Sequence, residues 1–142
     1  SLLIKAVLTG TIRSSPIVNN DFQLRAGAYE LDGAYVSKEY TVSTNDVRYV
    51  DLWIDETKPA GTVIAPQVSF DSGVTWLNMT NVAQDDRLLD ASAVPTVERH
   101  YVYDTGSNTV LKDKVKLKVN MTTTTGDSSP SIKRLRSVAR TI

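Results

Sequence analysis

The chain's one histidine, His100, and its acidic side chains are the first places to look for chemistry. Serine hydrolysis needs a base held beside a nucleophile. His100 sits between Arg99 and Tyr101, and no Gly-x-Ser-x-Gly elbow occurs. Glycoside hydrolysis needs two carboxylates at a set separation. Asp51, Asp55, Glu56, Asp85 and Asp86 could supply a pair, but 16 acidic residues always supply pairs, so no catalytic residue is assigned. With no cysteine and one histidine, zinc chemistry is not expected. Calcium needs only carboxylates and carbonyls. Asp85, Asp86 and Asp90 with Asp104 are the candidates for it, without EF-hand spacing, and no other cofactor is implied.

Sugar binding calls for aromatic rings beside planar polar groups. Tyr49, Asp51 and Trp53 offer both on one face of an alternating segment, and Arg99 and Tyr101 could lie on a neighbouring strand. These five are the candidate ligand residues. The competing and preferred reading packs the same aromatics in a core or a subunit interface.

Such groups need a rigid frame, and strand signals dominate. In 114–121, Val115, Leu117, Val119 and Met121 point one way and Lys114, Lys116, Lys118 and Asn120 the other. The exposed lysines suggest an edge strand. Segments 35–42, 47–56 and 96–104 also read as strands; in the last, Val97, Arg99, Tyr101 and Tyr103 oppose Glu98, His100 and Val102. Turn signals fall at Asp32-Gly33, 58–61, 71–73, 104–108 and 126–130. Residues 82–91 could form one or two helical turns or a loop, and 9–30 reads as a long irregular loop. The expected fold is a single all-β domain over 1–142, an antiparallel β-sandwich of jelly-roll type.

Composition narrows the partners. Sixteen basic residues balance 16 acidic ones, which argues against nucleic acid. Residues 98–142 hold nine basic and four acidic side chains (+5), and 1–97 seven and 12 (−5); either strand faces simply differ in charge, or copies could stack by opposite poles. No apolar run is long enough to cross a membrane. Ser1 runs directly into Leu2-Leu3-Ile4 without an initiator methionine. This suggests either a trimmed chain or a fragment of a longer protein, and a missing signal peptide is then uninformative.

Residues 69–76 read Ser-Phe-Asp-Ser-Gly-Val-Thr-Trp. This resembles the Asp-box of sialidase propellers, but one copy in a short chain makes no propeller. A stabilised hairpin is expected, with Ser69, Asp71, Gly73, Thr75 and Trp76 as its structural residues.

The run 49–76, the strand 115–122 and the closing Pro130-Ser131-Ile132-Lys133-Arg134-Leu135 together resemble β-sandwich modules of bacteriophage tail, baseplate and tail-fibre proteins. Many of those are similar to galactose-binding or carbohydrate-binding jelly rolls. The resemblance spans roughly residues 35–142. It implies a non-enzymatic structural or adhesion module of a virion tail, an extracellular particle. Its partners would be other tail proteins, further copies of itself and host-surface glycan. The alternative is a carbohydrate-binding module attached to a larger secreted enzyme.

Overall fold

Alternation along β-strands builds the molecule, with buried and solvated faces two residues apart. The structure is a computed structural model that describes residues 31–42, 47–106 and 112–141. The expected loop at 9–30, the apolar start Leu2-Leu3-Ile4 and part of the turn at 104–108 lie outside those residues. The strands are β1 (Asp32–Val36), β2 (Tyr40–Thr41), β3 (Val47–Thr57), β4 (Thr62–Ser69), β5 (Leu77–Asn78), β6 (Thr80–Asn81), β7 (Arg87–Leu88), β8 (Thr96–Asp104), β9 (Lys114–Thr123) and β10 (Ser131–Thr141).

They form two antiparallel sheets packed face to face, a β-sandwich. One sheet has the order β1-β9-β4-β5, with β2 also on β9; the other has β10-β3-β8-β6, with β7 also on β8. The chain changes sheet between β2 and β3, β3 and β4, β5 and β6, β8 and β9, and β9 and β10. The core between the sheets is Val47, Val50, Leu52 and Ile54 of β3, Ile64 and Val68 of β4, Tyr101 of β8, and Val115, Leu117, Val119 and Met121 of β9, with Met79 at the β5–β6 crossing.

The reading of 114–121 holds for its faces, and its placement needs correcting. β9 is a central strand, paired with β1 on one side and β4 on the other. A row of lysines reports an outer face, and that face does not reveal whether the strand's edges are free.

The expected strand at 35–42 is interrupted. Ser37 leaves the ladder and its buried Oγ accepts the Leu117 amide at 2.9 Å, while its own amide donates to the Leu117 carbonyl at 2.8 Å. Asp32-Gly33, read as a turn, instead lies inside β1. At 82–91 the chain forms a single 3-10 turn, Ala83–Asp85, followed by β7. Among the described residues no helix is long and apolar enough to cross a membrane.

β10 carries a bulge between Ile132 and Arg134. It explains a spacing that plain alternation forbids. Ile132 and Leu135, three residues apart, both pack against the core. Arg134, Arg136 and Arg140 then fall opposite Asp55, Trp53 and Tyr49, on the outer face.

Candidate functional site

Register in the second sheet decides which side chains meet. On β3 the outer face carries Tyr49, Asp51, Trp53 and Asp55. Their partners are Asp104, Val102, His100 and Glu98 on β8 and Arg140, Val138, Arg136 and Arg134 on β10. Arg140 Nε reaches Asp51 Oδ2 at 2.5 Å, and Arg134 Nε reaches Asp55 Oδ2 at 2.9 Å. Arg134 and Arg136 converge on Glu98 Oε2 at 3.2 and 3.1 Å. The acids are buried and the arginines lie across them, their stems covering the sheet.

The aromatic rings of this face are enclosed. His100 stacks on Trp53 at 4.6 Å between centroids with planes 5° apart, and Arg136 lies 4.9 Å over the same ring. The two come from the strands on either side of β3, so Trp53 offers no open face to a sugar. Tyr49 is flanked by Arg140 at 4.6 Å and Arg48 at 5.3 Å. His100 Nε2 lies 2.8 Å from Asp51 Oδ1 and Nδ1 lies 2.8 Å from Asp85 Oδ2. Both ring nitrogens are thus occupied by carboxylates, and neither points to a nucleophile.

Arg99 and Tyr101 do not join Tyr49, Asp51 and Trp53. They pair with Ile54 and Leu52, which puts them on the inner face. There they surround Glu56, a carboxylate 1 % exposed. Tyr101 donates its hydroxyl to Glu56 Oε2 at 3.1 Å, Arg99 Nε lies 2.6 Å from Oε1, and Lys58 Nζ lies 3.7 Å from it. Although Arg99 Nε and Glu56 Oε1 touch, neither has an aligned hydrogen bond, so the contact is chiefly Coulombic. Burial pushes the Glu56 carboxyl above its ordinary value, against the pull of Lys58, Tyr101 and Arg99. Burial, then the Glu56 charge, pushes the Tyr101 hydroxyl upward too. Tyr103, on the same face, packs its ring on Phe70 at 5.8 Å.

The five candidate residues therefore form two places, an outer charged face and an inner cleft. The cleft, of about 410 Å³, is lined by Lys58, Arg99 and Tyr101 with Pro66, Asn78, Met79 and Asn81. Sequence reasoning missed Arg134, Arg136 and Arg140 on the outer face and Lys58 in the cleft. Alternating arginines could have been matched to Asp51 and Asp55, but only with the register known.

The hairpin at 69–76 forms as expected between β4 and β5. Ser69 Oγ donates to Asp71 Oδ1 at 2.6 Å and accepts from the Gly73 amide at 2.9 Å; Asp71 Oδ1 also accepts from the Thr75 amide at 2.8 Å. Gly73 has φ +92°, and a Cβ there would lie 3.3 Å from the Trp76 ring. Lys118 caps that ring at 5.1 Å.

Bonds from Ser69, then Thr75, hold the Asp71 carboxyl down at about 2. A depressed acid contributes stability that is complete above its unfolded value, 3.8, and lost as pH falls through 2. Asp71→Asn should accordingly be less stable than the parent at pH 7, with the gap closing as pH drops toward 2. Urea melts across that range check this, and a gap independent of pH would contradict it.

The acids considered for calcium are engaged within the chain. Asp86 binds Arg99 at 2.6 Å and Asn81 at 3.0 Å, Asp85 binds His100, Asp90 accepts from Ser92 and the Thr96 amide, and Asp104 pairs with Arg48 at 3.1 Å. Among the described residues no three His, Cys, Asp or Glu side chains gather to hold a metal. No protein-family model, curated protein or solved structure matches the chain.

Proposed function

We propose that the chain is a non-enzymatic structural and adhesion module of a phage tail, baseplate or tail fibre, and that it assembles with copies of itself through the flank where β1 and β10 lie. Its place is the virion tail, beside other tail proteins. The sheet-changing connections and the pairing of β9 with both β1 and β4 support a jelly-roll assignment within the sandwich class.

One observation carries the assembly reading. Tyr35 and Tyr40 sit opposite Val119 and Val115, facing the sandwich interior, yet they remain 46 % and 52 % exposed. β10 fails to cover them, leaving a cleft of about 440 Å³ lined also by Val42, Leu135 and Ala139. Beyond β10 no described strand pairs. An open edge beside inward-facing tyrosines is a surface built for another chain. A second copy suits it, because the basic strand β10 belongs to the half of the sequence that complements the acidic remainder.

Native mass spectrometry should find a discrete homo-oligomer. Tyr40→Glu should weaken it by about 2 kcal/mol, roughly thirtyfold in dissociation constant, without loss of sheet signal in circular dichroism. A parent chain that stays monomeric at every concentration would remove the assembly reading.

The alternative, a carbohydrate-binding module of a larger secreted enzyme, is favoured by one feature: the polar cleft beside Arg99 and Tyr101.

A further inference from the structure

The structure points to a sugar site, and we propose that the cleft between Lys58 and Asn78 binds a neutral pyranose through adjacent hydroxyls. This rests on the adhesion part of the proposed function and gives it a location other than the enclosed face of Trp53.

The volume, about 410 Å³, falls in the range of small-molecule sites. Its floor is apolar, made by Pro66 and Met79, and its rim is polar. A sugar ring presents the same division, with C–H faces and a girdle of hydroxyls.

The rim's unspent hydrogen-bonding capacity alternates in kind. Asn78 uses its carbonyl to accept from Gln67 at 2.8 Å, which leaves its amide protons. Asn81 uses its amide on Asp86 and the His100 carbonyl, both at 3.0 Å, which leaves its oxygen. Lys58 reaches Glu56 only at 3.7 Å and keeps donors to spare. Hydroxyls both donate and accept, so adjacent ones can satisfy such a rim, whereas a carboxylate can only accept.

Charge points the same way. Arg99 is matched by Glu56 and Asp86, each at 2.6 Å, and Lys58 faces Glu56. The cations are compensated from within the chain, so an anion gains little there. Glu56 itself is taken up by Arg99, Tyr101 and Lys58 and holds those three side chains in place at the cleft.

The test is a nuclear magnetic resonance titration of the isotope-labelled full chain with the methyl glycosides of galactose, glucose and mannose, and with sodium acetate as the anionic probe. At least one glycoside should give saturating shifts at the Asn78, Met79 and Asn81 amides. Asn78→Ala and Lys58→Met, both at exposed rim positions, should weaken that binding by about tenfold each, the value of one lost hydrogen bond. The proposal is overturned if no glycoside saturates, if acetate alone does, if the shifts centre on Trp53, or if both variants bind as the parent does. Native masses of the same samples report assembly independently. Absent sugar binding with an intact oligomer removes this site and leaves the flank reading standing.

Discussion

Replacing Arg99 with methionine is expected to cost about 3 kcal/mol at neutral pH, because it strands a buried carboxylate. Glu56 is 1 % exposed and would keep only the Tyr101 hydroxyl and a Lys58 ammonium 3.7 Å away. Burial already raises its carboxyl above 4.5, and losing a cation raises it further. The sign of the pH dependence follows. Below 4.5 the acid is protonated folded and unfolded, so the ionisation penalty vanishes. As pH rises above 4.5 the unfolded chain releases its proton first and the folded state falls behind. The variant should therefore lose stability relative to the parent between pH 4.5 and neutrality. Adding Glu56→Gln removes the charge and should recover much of the loss. Urea denaturation at several pH values measures all three proteins. A pH-independent loss, or no recovery in the double variant, would mean that Arg99 acts by packing alone.

Leu117→Ala should be comparably damaging, about 3 kcal/mol. Leu117 is 1 % exposed on β9, opposite Val68 of β4 and bonded on its other side to Ser37 just past β1. Neighbouring strands cannot collapse into the void without shifting the central strand of the sheet. The control is Val63→Ala on β4, where the side chain is 51 % exposed and the change should cost roughly 0.5 kcal/mol or less. Denaturant midpoints at one protein concentration give the comparison. Equal costs would deny that β9 lies at the centre of the sandwich.

Both effects depend on positions that the sequence marks unevenly. The oily face of β9 was legible because Val115, Leu117, Val119 and Met121 alternate with residues that solvent tolerates. The hairpin was legible because Ser69, Asp71 and Gly73 act on each other locally. β3 was ambiguous for a physical reason: both its faces are covered, one by apolar side chains and the other by the arginines of β10. Arg99 and Tyr101 were correctly set on one face of β8, opposite His100. Joining them to Trp53 required the register between β3 and β8, and a shift of one residue exchanges the faces. Trp53 pairs with His100, so Arg99 and Tyr101 turn inward. The bulge before Arg134 is likewise invisible to periodicity, yet it turns three arginines outward while Ile132 and Leu135 both face the core.

Assembly through the β1/β10 flank is the claim on which the functional reading turns, and hydrogen exchange read by mass spectrometry at rising protein concentration tests it most directly. Amides of 32–41 and 131–141 should become more protected as concentration increases, while those of 98–102 in the interior ladder stay constant. Exchange in both flank segments that is the same at the lowest and highest concentrations would contradict it.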